Sequence, residues 1–294
     1  MTHLADLVAA ELAKPVDPRV EAFARDIAGT FGEAARAVLF YGSCLRSSEL
    51  DGLMLDFYVI VSGYRDAYDR RWMAAANRLI PPNVFPAQHE GLQAKYAVLS
   101  EDDFARLASS RTRNVSVWAR FAQPSRLVWA KDEAARGRAI AAVCGAAPAL
   151  LSSALPLAPE SVDPLDLWRF AFGQTYRAEL RAERPGRSLS VVDADPERYR
   201  AFTDPALAAI DHDALQTAGA ARWRWRRRRF EGKALTLLRL AKASATYAGG
   251  VDYLAWKINR HAGTDITVRP WQRRWPLIGA LTLLPRLIFR GAVR

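Results

Sequence analysis

The sequence is short of the residues that build disulfide frameworks and metal clusters. Its 294 residues include two cysteines, Cys44 and Cys144, and four histidines, His3, His89, His212 and His261. Two cysteines make neither a disulfide scaffold nor a zinc knuckle, and both are expected as reduced thiols of a cytosolic protein. The histidines lie far apart, so no Cys/His group has metal-ligand spacing. The first residues, MTHLADLVAAELAKP, lack a basic start followed by an apolar run, so no secretory signal is expected. No stretch of about 20 apolar residues, enough for a membrane span, is expected either. Near the end, the longest uncharged apolar-rich run is Trp275–Pro285, eleven residues. Internal repeats are also lacking.

What the chain has in excess is positive charge, unevenly placed. There are 42 Lys and Arg against 31 Asp and Glu, a formal net charge of +11. Residues 221–294 hold 17 basic and 3 acidic residues, a net of +14. The preceding 220 residues hold 25 basic and 28 acidic residues, a net of −3. A near-neutral body with a cationic end points to a polyanion, either nucleic acid or an anionic membrane surface. Half of the residues are hydrophobic, which is ordinary globular composition, and the length suggests two domains.

Apolar spacing predicts a helix over 18–36, through Val20, Phe23, Ile27 and Phe31. Strands are predicted at 37–41 (AVLFY), 53–61 (LMLDFYVIV), 93–99 (QAKYAVL) and 126–130. Residues 64–79 read as a helix, Pro81-Pro82-Asn83 as a turn, and Ser100 as the N-cap of a helix opening with acids. From about Asp132 the pattern is mostly helical, with helices expected over 165–182 and 222–247. Alternating strands and helices predict an α/β or α+β first domain over 1–131. A mostly helical second domain, with a winged-helix-like form open to it, is expected over 132–245, and a basic amphipathic tail over 246–294.

The segment Leu39–Val61, LFYGSCLRSSELDGLMLDFYVIV, carries the chemistry. A Gly-Ser at the end of a strand can aim backbone N–H groups and a hydroxyl at a phosphate. An aspartate inside an apolar strand is costly unless it is paired or binds a metal. Gly-Ser is also a common dipeptide, and a strand aspartate can be satisfied by its neighbours, so both readings stand on this segment alone. Together, Gly42-Ser43 and Asp56 resemble the triphosphate grip of the polymerase-beta-like nucleotidyltransferase superfamily. That superfamily usually carries two strand acids two residues apart. Here Met54 and Tyr58 flank Asp56, and Asp51 sits at an odd offset, on the opposite face or in the loop.

Tyr41-Gly42-Ser43 followed by Met54-Leu55-Asp56-Phe57 resembles the mitochondrial-type phosphatidate cytidylyltransferases (CDP-diacylglycerol synthases). Further residues follow in the same order. They are Asn83-Val84-Phe85, Lys95-Tyr96-Ala97-Val98-Leu99-Ser100, and Trp118, Arg120-Phe121 and Pro124, with Ala119 and Gln123 replacing a Gly and a Lys. Phe172–Arg181 (FGQTYRAELR) is weakly similar to a family helix, with Glu179 in an Asp position and Arg181 matching an Arg. The likeness spans roughly 36–205 and is specific in its first part. The family's Trp-His becomes Trp72-Met73, and its glycine after Gly-Ser becomes Cys44 or Leu45.

The resemblance implies a reaction of CTP with phosphatidate, giving CDP-diacylglycerol and pyrophosphate, with Mg²⁺ as cofactor. It implies Asp56 as the main metal ligand, with Glu179, or alternatively Glu90 or Asp51, completing the set. It implies Gly42 and Ser43 on the leaving pyrophosphate, Lys95 against developing charge, and Arg120 and Arg181 as phosphate clamps. RNA or another phospholipid-like acceptor, or a catalytically inactive lipid- or RNA-binding relative, are the alternatives.

At the cationic end, RWRWRRRR (222–229) precedes Trp271, Arg273, Arg274 and Trp275, and Arg286 and Arg290 flank Leu287-Ile288-Phe289. Tryptophan and arginine beside short apolar segments suit the water–lipid interface. The apolar run 277–284 has no role in RNA binding, so a membrane surface is favoured over nucleic acid. The expectation is a peripheral protein on the cytoplasmic, inner face of a membrane.

Overall fold

The computed structural model describes residues 3–46, 50–159, 163–179, 191–213, 215–246 and 267–271. Five strands form one mixed sheet: β1 (Ala35–Tyr41), β2 (Met54–Val61), β3 (Asn83–His89), β4 (Leu92–Ser100) and β5 (Ser125–Ala130). Their order is β3-β4-β2-β1-β5. Among the described strands only the central β2–β4 pair is parallel; its neighbours pair antiparallel. A parallel pair needs a crossover, and here it holds α3 (Tyr64–Ala67), α4 (Arg71–Leu79) and β3.

Both sheet faces are covered, which explains why β1 and β2 read as continuous apolar runs. Val38, Phe40, Phe57 and Val59 point to one cluster, with Phe23 and Ile27 of α2 (Pro18–Gly29). Leu39, Tyr58, Ile60 and Leu99 point to the other, which also takes in α1 (Leu4–Leu12) and α5 (Glu101–Leu107). Helix α2 starts where Asp17 accepts a bond from the Arg19 N–H at 2.8 Å and Pro18 occupies the first turn.

The second cluster continues into α6 (Trp118–Phe121), α7 (Glu133–Cys144), α8 (Ala146–Ala154), α9 (Pro164–Ala178) and α10 (Pro196–Ala208). Among the described residues after Ala130 there is no strand, in keeping with the expected helical character. A buried ion pair ties α1 to α10. Arg198 grips Glu11 with Nε and with Nη2 at 2.9 Å, and its Nη1 donates to the Ala122 carbonyl at 3.1 Å. Arg198 also lies over Phe202, 4.2 Å from the ring centre.

The basic helix α11 (Ala218–Thr246) packs through a narrow stripe, Ala221, Trp225, Arg228 and Gly232. This i, i+4, i+7, i+11 spacing is one helical face. At Gly232 the backbone of α9 comes so close that a Cβ would lie 2.1 Å from the Ala178 carbonyl oxygen. Glycine is obligatory there because no side-chain atom fits.

Several sequence expectations need correction. Residues 83–89 form a strand, not the end of a turn, and Glu90-Gly91 make the tight hairpin to β4, both with positive φ. The 64–79 helix is two helices broken at Tyr68–Arg70, and the first helix ends at Gly29 before β1 begins at Ala35. Helix α1 went unanticipated, and α9 stops at Ala178 rather than 182. The expectation that no span-length apolar stretch exists also fails. Residues 139–159 contain no charge, and Glu133–Leu157 is long and apolar enough to cross a membrane by length and composition. Its alanines are nevertheless used inside the protein: Ala139, Ala142 and Ala146–Ala147 are buried in the main cluster, and Gly145 separates α7 from α8.

Candidate active site

The central residues sit side by side across three strands. Register places Tyr41 opposite Asp56 on β1–β2 and Asp56 opposite Lys95 on β2–β4. Strand alternation puts Asp56 on the same face as Tyr58 and Lys95 on the same face as Ala97, beneath α6. Lys95 Nζ lies 3.1 Å from Asp56 Oδ1. That is ion-pair distance, but the approach is off hydrogen-bond angles, and Oδ1 is a buried oxygen without a hydrogen bond.

β1 ends at Tyr41 and is followed by Gly42, whose φ is +97°. A Cβ there would stand 3.1 Å from Asp56 Oδ2. Glycine is therefore required both by its left-handed backbone and by the carboxylate beside it. Ser43 follows, exposed, at the start of a 3-10 turn over Ser43–Arg46. Cys44 is buried with Sγ 3.5 Å from the Met54 carbonyl, and burial and then Asp56 push its thiol pKa up. It is a packing residue.

Above this row lies a group of cations. Arg120 of α6 is 3.7 Å from Glu179 Oε1 and donates to the Ser116 carbonyl. Burial opposes its charge, but the Glu179 and Asp56 carboxylates support it, and its pKa stands above the usual arginine value. Burial and then Asp56 hold the Tyr41 phenol well above the tyrosine range, so it stays neutral. Arg239 of α11 donates to Ser116 Oγ at 2.9 Å and to the Pro81 carbonyl at 2.8 Å. Lys242, one turn on, donates to the carbonyls of Ile80 and, at 2.8 Å, of Pro82. Burial and then Arg239 push its pKa down to about 7.

The structure thus brings Gly42, Asp56 and Lys95 together and sets Arg120 and Glu179 near them. Glu179 is buried just past the end of α9. Arg181 lies outside the described residues, as do Arg273, Arg274, Trp275, Arg286 and Arg290. Trp271 is described and exposed. The two alternative carboxylates are elsewhere. Asp51 is largely exposed in the loop and pairs with Arg19 at 3.2 Å. Glu90 is at the hairpin tip, five positions from Lys95 and so roughly 16 Å along the strand. Among the described residues no three His, Cys, Asp or Glu side chains gather as a metal cluster.

Sequence reasoning missed Arg239, Lys242 and Ser116 as neighbours of the site. The basic run in α11 was read as a free docking surface, yet part of it turns inward. The signal was present: Arg239 and Lys242 follow Trp225, Arg228 and Gly232 along the inward stripe at helical spacing.

No family profile matches the chain. A search of curated proteins likewise finds no match. Among solved structures, the chain is similar to a nucleotidyltransferase-like protein from Exiguobacterium sibiricum, at 11% identity over 92% of each chain, with a TM-score of 0.28. A likeness that distant assigns no function, and the geometry of the site alone has to support one.

Proposed function

We propose that the chain is a nucleotidyltransferase working at a membrane surface, and specifically a phosphatidate cytidylyltransferase. One observation carries the reading. A buried carboxylate oxygen of Asp56, without a hydrogen bond, lies between a glycine turn and a lysine, with Arg120 and Arg239 behind it. Lys95, Arg120 and Arg239 against Asp56 and Glu179 leave this group of side chains cationic, which suits a polyphosphate.

In the proposed reaction a phosphate oxygen of phosphatidate bonds to the α-phosphorus of CTP. The bond from that phosphorus to the bridging oxygen breaks, and the electron pair leaves with pyrophosphate. The Gly42 turn and the Ser43 hydroxyl would hold the leaving pyrophosphate. Lys95 and Arg120 would neutralise its growing charge. Mg²⁺, when bound, would supply further screening of the triphosphate. Asp56 would hold it, with Glu179 as the second carboxylate, which suits an ion that takes one or two carboxylates plus substrate phosphates. The role of Arg181 rests on resemblance.

A membrane-bound acceptor requires docking, and the outer face of α11 supports it. Trp223, Phe230 and Leu238 are exposed at spacings of seven and eight, one helical face, among Arg222, Arg226 and Lys233. Basic residues near an anionic leaflet contribute about 1 kcal/mol each, and the exposed aromatics would enter the interface. The cytoplasmic leaflet is the proposed location.

The test is radiolabelled CTP with Mg²⁺ and liposomes containing phosphatidate, run beside an RNA primer. Label in CDP-diacylglycerol is expected, and Asp56→Asn should abolish it. Label transferred to RNA alone, or undiminished activity in the Asp56 variant, rejects the assignment.

A further inference from the structure

Away from the Gly42–Lys95 row, a cavity of about 1250 Å³ opens between α1, the α7–α8 junction, α10 and α11. That exceeds the roughly 300–1,000 Å³ usual for small-molecule sites. Leu4, Leu7, Pro148, Ala149 and Ile210 give it a largely apolar wall. Arg228 also lines it, and only 3% of that residue is exposed.

Arg228 is an anomaly. Its guanidinium carbon lies 5.5 Å from the Trp118 ring centre and 4.9 Å from that of Trp225. Its Nε and Nη1 find no hydrogen-bond acceptor. Among the described residues no ion pair includes it. Burial and then the like charge of Arg224 push its pKa down to about 10, with no acid compensating. Asp204 and Asp211 line the same cavity but are exposed on α10 and just beyond it. Arg198, by contrast, has its carboxylate. A buried cation without a partner is costly, and such a group at an apolar cavity is explained when an anion completes it.

We propose that this cavity is a second ligand site, for an amphiphilic anion whose acidic headgroup pairs with Arg228 while its apolar chain lies along the wall. The headgroup is an anionic oxygen group, carboxylate or phosphate, and the chain is acyl-like. Trp118 and Trp225, both within cation–π distance, hold the guanidinium at the cavity wall. The site is separate from the proposed transfer reaction, and its test needs no nucleotide.

The test is calorimetric titration of the full chain with oleate below its micelle concentration, with lysophosphatidate, with oleyl alcohol and with inorganic phosphate. One molecule of oleate or lysophosphatidate per chain is expected, the tighter of the two naming the headgroup. Oleyl alcohol should bind at least tenfold more weakly, and phosphate alone should not saturate. Arg228→Met keeps the side-chain length and removes the unpaired charge, so it should melt no lower than the parent and lose the tenfold preference for the anion. Should that variant fail to fold, Ser152→Phe, which narrows the cavity from α8, should weaken oleate at least tenfold while leaving the far-UV circular dichroism of the free chain unchanged. Equal binding of oleate and oleyl alcohol, or equal oleate binding by parent and Arg228→Met, overturns the proposal.

Discussion

Two of the ion pairs, Glu11–Arg198 between helices and Asp56–Lys95 between neighbouring strands, differ in one respect. Glu11 and Arg198, each 6% exposed, use nearly every polar atom they have: two guanidinium nitrogens meet the carboxylate and the third meets a backbone carbonyl. Asp56 and Lys95 are 18% and 42% exposed and leave Oδ1 without a hydrogen bond. The first pair holds the body together. The second is half-finished, with room and charge left for something else. Satisfaction of polar atoms, more than the presence of opposite charges, separates the structural pair from the one equipped for chemistry.

Substitutions should split the two pairs cleanly, ordered here by their cost in stability. Arg198→Met strands Glu11 in the core and should cost about 3–5 kcal/mol in urea unfolding, with CTP binding intact in the folded fraction. Gly232→Val drives a side chain into the Ala178 carbonyl and should cost about 1–3 kcal/mol or more. It should also weaken CTP binding, because Glu179 directly follows one of the two helices it forces apart and Arg239 stands on the other. Gly42→Ala meets a strained φ and the Asp56 carboxylate, and should cost about 1–2 kcal/mol while removing Mg²⁺–CTP stabilisation in a thermal melt. Asp56→Asn breaks a partly exposed pair and should change stability by no more than about 1 kcal/mol, yet it should abolish the same ligand response. If Asp56→Asn instead destabilises as strongly as Arg198→Met, the pair is structural and the comparison collapses.

The smallest effect concerns pH. Lys242 has a folded pKa of about 7, below the usual lysine value of 10.5. Between these values the unfolded chain binds more protons than the folded one, so stability should rise as pH increases through this window. Measured from pH 7 to 9, below the ionisation of tyrosines in the unfolded chain, the slope should flatten in Lys242→Met. An unchanged slope would assign it to other groups.

Much of the site was legible because its residues lie on strands. A lone aspartate in an apolar run, a Gly-Ser at a strand end and a lysine inside another strand each break a local pattern, and register then places Asp56 between Tyr41 and Lys95. β3 was less legible: Pro82 beside Asn83 reads as a turn, and only pairing to β4 makes 83–89 extended. The Arg239–Ser116 bond joins residues 123 positions apart and depends on how α11 crosses the sheet, which no local pattern encodes. The run 139–159 was overlooked as an uncharged stretch of span length. Alanine-rich helices with no charge satisfy a membrane criterion by composition, while here they supply small side chains for close helix packing.

The two ion pairs also close loops of very different length. Asp56 and Lys95 are 39 positions apart in paired strands, whereas Glu11 and Arg198 are 187 apart. Closing a longer loop costs more chain entropy and is favoured later in folding. During synthesis the whole sheet, through β5, has been made while Arg198 is still to be added. The half-finished carboxylate can therefore be in place on a nascent chain before the clamp that stabilises the body exists, so early release of the chain would yield a site without its scaffold.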